Sequence, residues 1–291
     1  MEKLRITGVP EHFNYPWKQV VAGQPFLDAG VELEWINEPR GSGAMNKALR
    51  DGSTDLAIVL TESFIKDKIE GNPAGIIGLH VNSPLVWGIH ASGKTVDKNL
   101  QAFSESPFVI SRVGSGSHLM AFLLAKREDW PRENLRFEPI GDLNGAVEWA
   151  NKGESGLFLW EKYTTQPLVE NRILVRIGEI PTPWPCFVLT ALPEAVLKFG
   201  SLITSLRDLV YQNAFELRST GNLAGLISKA YGLDEVGVES WLAQTIWAKN
   251  NKLKSSDIEL TQNTLFELGL IGKKMAVEKF MLPGSVQLVG G

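Results

Sequence analysis

Gly52-Ser53-Thr54-Asp55-Leu56-Ala57-Ile58-Val59-Leu60-Thr61-Glu62 is the stretch on which the fold turns. Five apolar residues in succession follow a turn-forming run and stop abruptly at Thr61-Glu62. A run of that length between turn signals reads as a strand buried on both faces. Outward from it, residues 4–9 alternate apolar and polar side chains up to Pro10, and residues 31–36 alternate likewise. Both read as strands. Residues 15–29 and 44–51 have helical spacing between them. Strand, helix, strand, helix, strand predicts a parallel α/β sheet with right-handed crossovers, and such sheets take ligands at the C-terminal strand ends.

Residues 75–91 read as a single apolar fourth element. A fresh α/β unit then opens with a strand at 108–111, the loop Gly114-Ser115-Gly116-Ser117 and a helix at 118–126. Strands at 137–140, 156–160 and 174–180 and a helix at 143–152 complete it. Thr182-Pro183-Trp184-Pro185-Cys186 is a stiff connection, since each proline fixes φ and restrains the residue before it. A strand at 187–191 and helices at 195–219, 223–231, 235–250 and 256–268 fill the remainder. This order predicts an α/β fold of two parallel-type lobes joined by two chain crossings, residues 1–91 with 185–291 as one lobe and 92–184 as the other. Two such lobes facing each other would form a ligand cleft with hinge closure.

The 291 residues are 44% hydrophobic and 21% charged, which excludes a disordered or collagen-like chain and gives room for about two domains. A net charge of −4, from 29 basic and 33 acidic residues, offers no footprint for nucleic acid. No run of about 18 apolar residues predicts membrane insertion. The single cysteine, Cys186, excludes an internal disulfide framework and a cysteine-based zinc site, and no histidine pair has metal-ligand spacing, so neither metal nor cofactor is expected. Charge at residues 2–5 stands where a secretory leader would be apolar. The expected location is cytoplasmic if this N-terminus is native, and periplasmic or exported if a leader has been removed.

Candidate ligand contacts sit at expected strand ends. Ser115, Gly116 and Ser117 open a helix, whose first N–H groups suit phosphate, sulfonate or carboxylate. Gly41, Ser42 and Gly43 form an analogous loop. Neither loop carries a nucleotide-binding fingerprint. Thr61 and Glu62 end the central strand, where Glu62 suits an amino group. Trp160 and Glu161 set an aromatic face beside an acceptor. His12 and Tyr15 lie in the aromatic loop after the first strand, and His12 is the histidine best placed for a role. His80 and His90 fall in an apolar element and read as structural.

The run 52–62, the opening strand, Ser111-Arg112-Val113-Gly114-Ser115-Gly116-Ser117 and Thr264-Leu265-Phe266-Glu267-Leu268-Gly269-Leu270-Ile271 together resemble the type II periplasmic-binding-protein family. The resemblance is to its sulfonate and thiamine-pyrimidine-precursor branch, and to intracellular fungal-type relatives. It implies a non-catalytic protein that closes two lobes around a small polar or anionic ligand, heteroaromatic in the thiamine-precursor case. Some relatives make the thiamine pyrimidine from their own histidine and pyridoxal phosphate, but those carry a cysteine cluster where this chain has only Cys186. The alternatives are an enzyme of pyrimidine-precursor or menaquinone-type synthesis, with His12 or Glu62 as acid or base, and a truncated transport receptor.

Overall fold

A computed structural model describes residues 1–290, and the chain divides into two compact units, Met1–Pro84 with the segment from Pro183 onward, and Leu85–Thr182. The first unit opens with strands β1 (Glu2–Gly8), β2 (Val31–Asn37), β3 (Leu56–Leu60) and β4 (Gly75–Val81). The second holds β5 (Val86–Ser92), β6 (Phe108–Ile110), β7 (Phe137–Pro139), β8 (Leu157–Glu161) and β9 (Leu174–Pro181). The chain then returns with β10 (Phe187–Ala191), β11 (Lys252–Lys254) and β12 (Gln287–Val289). Helices α1 (Tyr15–Gly23), α2 (Ser42–Arg50) and α3 (Thr61–Ile69) belong to the first unit. Helices α4 (Gly116–Arg127), α5 (Leu143–Lys152) and α6 (Gln166–Glu170) belong to the second. The first unit resumes with α7 (Pro193–Phe199), α8 (Ser201–Arg218), α9 (Leu223–Tyr231), α10 (Glu235–Gln244) and α11 (Ser255–Glu267).

In the first unit the sheet order is β2-β1-β3-β10-β4. β1 pairs in parallel with β2 from Glu2↔Val31 to Gly8↔Asn37, and with β3 at Ile6↔Leu56. The Arg5 guanidinium donates to both carboxylate oxygens of Asp55 (3.0 and 2.8 Å), which pins the β1–β3 register through a two-pronged pair. Leu56 through Val59 are wholly buried, as a central strand requires. β10 runs antiparallel between β3 and β4, so the sheet is mixed rather than purely parallel. Its first residue, Phe187, lies at the C-terminal ends of β3 (Leu60) and β4 (Val81).

In the second unit the order is β7-β6-β8-β5-β9, with β6, β7 and β8 parallel and β5 antiparallel to β8 and β9. Its core includes Val109, Ala146, Trp149, Ala150, Phe158 and Leu174. The C-terminal ends of β6, β7 and β8 share an edge with the start of β5, since Trp87 stands opposite Glu161.

Several boundaries differ from the sequence expectation. The apolar run 75–91 is two strands of two different sheets, separated by Asn82-Ser83-Pro84. The unit boundaries are accordingly 84/85 and 182/183, not 91/92 and 184/185, because β5 pairs with β8 and β9. Helix α1 stops at Gly23 because Gln24 turns left-handed (φ +46°) and its amide clasps the Leu33 backbone at 2.7 and 2.8 Å. The expected helix 195–219 is broken by Gly200 at φ +56°. Helix α10 ends at Gln244 because the following segment pairs with β4, through Asn82 N–H to Ile246 O (2.7 Å) and Ala248 N–H to His80 O (2.9 Å). His80 and His90 are buried and hydrogen-bonded to the Phe13 and Phe158 carbonyls.

Candidate functional site

At the C-terminal edge of the first sheet, β1 leads into a short helical turn, His12–Asn14, braced by Asn14 Nδ2–H donating to Val9 O at 2.8 Å. His12 is 4% exposed, stacked on Phe13 (5.0 Å) and met edge-on by Trp241 (4.2 Å). Burial pushes its pKa down to about 3, so the imidazole is neutral, and its Nε2 has no partner among the described residues. Tyr15 is buried beside Tyr231 at 6.4 Å.

Glu62 stands in the first turn of α3, where a carboxylate complements the helix dipole. Its Oε2 accepts from Trp184 Nε1 at 2.8 Å, while Oε1 is buried without a partner. Burial raises this carboxyl to about 7. An unpaired buried oxygen is costly, and the group relieves that by holding a proton. Thr61 turns inward instead: its N–H donates to Cys186 O (3.0 Å) and its hydroxyl to Pro185 O (2.5 Å). Ser42 likewise joins the start of α2 to the end of β3, accepting the Leu60 N–H at 2.9 Å. Gly41 supplies the left-handed turn before it (φ +78°), and Gly43 is half-buried. On the flank of α2 lies a cavity of about 330 Å³, lined by Thr7, Ile36, Arg40 and Lys47.

In the second unit, β6 runs into a turn built on three hydroxyls. Ser117 Oγ accepts the Ser111 N–H at 2.9 Å and lies 3.0 Å from Ser115 Oγ and 3.3 Å from Ser111 Oγ. Ser115 is the N-cap of α4, its Oγ accepting the His118 N–H at 3.3 Å. Arg112 and Val113 are exposed at the tip of the turn. Gly116 is the first residue of α4, so the left-handed glycine is Gly114 (φ +78°).

Trp160 and Glu161 are held by contacts within their own unit. Trp160 lies on Phe158 (5.5 Å, 20° between planes) and packs against the core of the unit. Glu161 is 6% exposed and caps the turn after β8, accepting from Thr164 N–H (2.6 Å) and hydroxyl (2.8 Å). Burial raises its pKa.

The structure therefore brings Ser115 and Ser117 together and sets Glu62 and Thr61 against the connector, while Ser42, Trp160 and Glu161 carry structural bonds or packing. Sequence reasoning gave no role to Trp184, Trp241, Trp87 or Tyr163. The Nε1 of Trp87 and the hydroxyl of Tyr163 are buried without partners among the described residues, and Trp87, near the start of β5, lies at the same edge as Glu161. Among the described residues, no group of three His, Cys, Asp or Glu side chains could hold a metal ion. Among the described residues no helix is long and apolar enough to cross a membrane.

A family model described as Ca3427-like PBP, a periplasmic-binding-protein family, matches residues 87–180. Over the whole chain, the structure resembles the Candida albicans CA3427 gene product, which defines a new family with the generic periplasmic-binding-protein fold. Identity is 24%, coverage 100% of this chain and 99% of that one, and the TM-score 0.87. It also resembles the alkanesulfonate-binding protein SsuA from Xanthomonas axonopodis pv. citri bound to MOPS (14% identity, 99% of each chain, TM-score 0.77). The Escherichia coli aliphatic sulphonate binding protein SsuA matches at 16% identity over 97% of each chain, with a TM-score of 0.73. No curated protein matches the chain. These likenesses identify the fold, which is that of the type II periplasmic-binding-protein-like proteins.

Proposed function

We propose that this chain, built on the type II periplasmic-binding-protein fold, binds a small polar or anionic molecule carrying a flat, nitrogen-bearing ring. The observation that carries the proposal is Glu62, a buried carboxyl at the C-terminal end of a central strand with one oxygen unpartnered. Open α/β sheets take ligands at that edge. With its pKa raised to about 7, Glu62 accepts an N–H when ionised and donates when protonated. In the second unit the start of α4, with Ser115 and Ser117, suits an anionic or strongly polar group. Sulfonate binding by the two SsuA proteins supports the same ligand character. A thiamine pyrimidine precursor offers both an amino group and a flat ring, and is the specific ligand we put forward. Hinge closure is the proposed mechanism: contacts contributed by each unit to one ligand shift the population toward the closed state.

The test is mass spectrometry of small molecules released from the purified protein, with calorimetric titration of 4-amino-5-hydroxymethyl-2-methylpyrimidine and of MOPS. Saturable one-to-one binding of the aminopyrimidine supports the specific ligand. Binding of MOPS alone supports an anion binder and removes the pyrimidine. No released ligand and no binding of either removes the proposal.

A further inference from the structure

His118 does more than extend the first turn of α4. It is 7% exposed, and its ring meets Phe122 of the same helix edge-on at 4.8 Å and Phe137 of β7 at 4.5 Å. Its Nδ1 lies 3.1 Å from the Gly114 amide nitrogen. A backbone N–H can only donate, so Nδ1 must present its lone pair and the neutral ring carries its proton on Nε2. The residue held this way is the left-handed glycine at the centre of the turn. Neighbouring bonds return the turn on itself: Ser115 N–H to Arg112 O (3.2 Å), and His118 N–H to Ser115 Oγ (3.3 Å). The imidazole thus adds a third bond to the turn, at Gly114.

We propose that His118 is a positioning residue for the turn 112–117: its neutral, Nε2-protonated ring holds the turn in its ligand-ready shape, and a proton arriving on Nδ1 releases Gly114 and weakens binding. The inference rests on the reading that the start of α4 contacts ligand. The ring faces Phe122 on α4 and Phe137 on β7, so no carboxylate among these contacts stabilises an imidazolium. The ionisable groups on the packed elements are Arg132 and Glu133 on the turn Arg132–Asn134, Glu138 on β7, Glu161 at the end of β8, Arg112 on the turn itself, and Lys126 and Arg127 at the far end of α4. Burial is the larger influence against a positive charge on His118. Arg132, whose guanidinium lies 4.9 Å from the Phe122 ring, adds to it by opposing a second positive charge. The neutral form therefore prevails near neutral pH, and release belongs to acid below the ordinary histidine range.

The test uses the full chain with His118→Asn, whose amide oxygen takes the place of Nδ1 and does not titrate, and His118→Leu, which has no acceptor. Nitrogen-15 NMR should show the proton of wild-type His118 on Nε2 at pH 8. Protection of the Gly114 amide from hydrogen exchange, taken against the intrinsic rate at each pH, should fall with the same midpoint as the His118 titration, persist in His118→Asn, and be absent at every pH in His118→Leu. With MOPS and 4-amino-5-hydroxymethyl-2-methylpyrimidine as probes, the affinity of whichever binds should fall roughly tenfold through the wild-type titration and in His118→Leu at pH 8. In His118→Asn it should stay flat with pH. A proton on Nδ1 at pH 8, or Gly114 exchange indifferent to the titration, overturns the proposal. Equal probe affinity in wild type and His118→Leu overturns it while leaving the binding function standing. Failure of both probes at every pH overturns the binding function instead, and the NMR and exchange measurements then decide the role of His118.

Discussion

The indole N–H of Trp184 donates to Oε2 of Glu62 at 2.8 Å, joining the start of α3 to the connector that feeds β10. Both side chains are buried, and 122 residues of chain separate them. The bond satisfies one carboxyl oxygen and leaves the other without a partner. Burial, the larger influence, raises Glu62 to about 7, against the opposing effects of its own backbone N–H and of the Trp184 hydrogen bond.

Stability should therefore depend on the Glu62 charge. A carboxyl with a raised folded-state pKa favours folding below its unfolded value of 4.5, and that contribution is lost as pH rises through about 7. Glu62→Gln keeps an acceptor for Trp184 and removes the titration. At pH 8.5 it should be more stable than wild type by about 2–3 kcal/mol, and at pH 4.5 nearly equal. Denaturant unfolding at the two pH values measures this, and a difference that does not change with pH refutes it.

Three buried histidines work in the opposite direction. Burial depresses His12 to about 3, His80 to about 4 and His90 to about 3. Each favours folding above the unfolded value of 6.5 and loses that contribution as pH falls toward 3 to 4. Unfolding free energy should thus drop steeply between pH 6 and pH 4. His80 adds a hydrogen bond to Phe13 O at 2.8 Å, an acceptor also reached by Trp247 Nε1 at 2.9 Å. His80→Phe should cost about 1 kcal/mol at pH 8, since Phe13 O keeps one donor. It should also flatten the acid slope by the share of one proton. An unchanged slope would show that His80 does not titrate with folding.

Much of the architecture is legible locally. The run Leu56–Leu60 announces a central strand, and the serines before α4 announce a helix start, although the helix begins at Gly116 with Ser115 as its N-cap rather than at 118. The antiparallel sense of β10 is not legible, because a five-residue apolar run carries no direction. Nor does the run 75–91 disclose that its halves belong to different sheets until their strand partners are known. Gln24 ends α1 through a clasp on Leu33, where no glycine marks the turn. Ser115 and Ser117 are neighbours in sequence, so the turn they share is legible. The Glu62–Trp184 bond depends on a contact between distant segments. The bonds of Ser42 and Thr61 to the Leu60, Pro185 and Cys186 backbone are not legible either, because tertiary structure sets those partners.

Gly8 shows how closely the first unit packs beneath the His12 turn. A Cβ there would meet the Trp35 ring at 2.7 Å and Asn14 Nδ2 at 2.9 Å. Asn14 braces the turn through Val9 O, so displacing it loosens the support of His12. Gly8→Ala should destabilise the protein by about 1–3 kcal/mol as an overpacked site. Thermal unfolding at pH 8 measures the loss, and a stability equal to wild type shows that Trp35 yields freely.

The turn before α4 separates backbone strain from ligand contact, because its two glycines differ. Gly114 sits at φ +78°, where a β-branched residue is strained, and an added Cβ meets nothing within 4 Å. Gly114→Val should therefore cost about 1–2 kcal/mol through the backbone alone. Gly116 begins the helix, so Gly116→Val carries no such strain and adds bulk at the first-turn amides. Ser115→Ala removes the acceptor of the His118 N–H and should cost about 1 kcal/mol as a lost N-cap. If the start of α4 holds an anionic or polar ligand group, Gly116→Val should weaken binding of MOPS or the aminopyrimidine at least roughly tenfold, with stability close to wild type. Ser115→Ala should lower both stability and affinity, and more mildly. Calorimetric titration beside denaturant unfolding separates the two effects. Should Gly116→Val and Ser115→Ala both bind the probe as wild type does, the turn is a helix cap without a ligand.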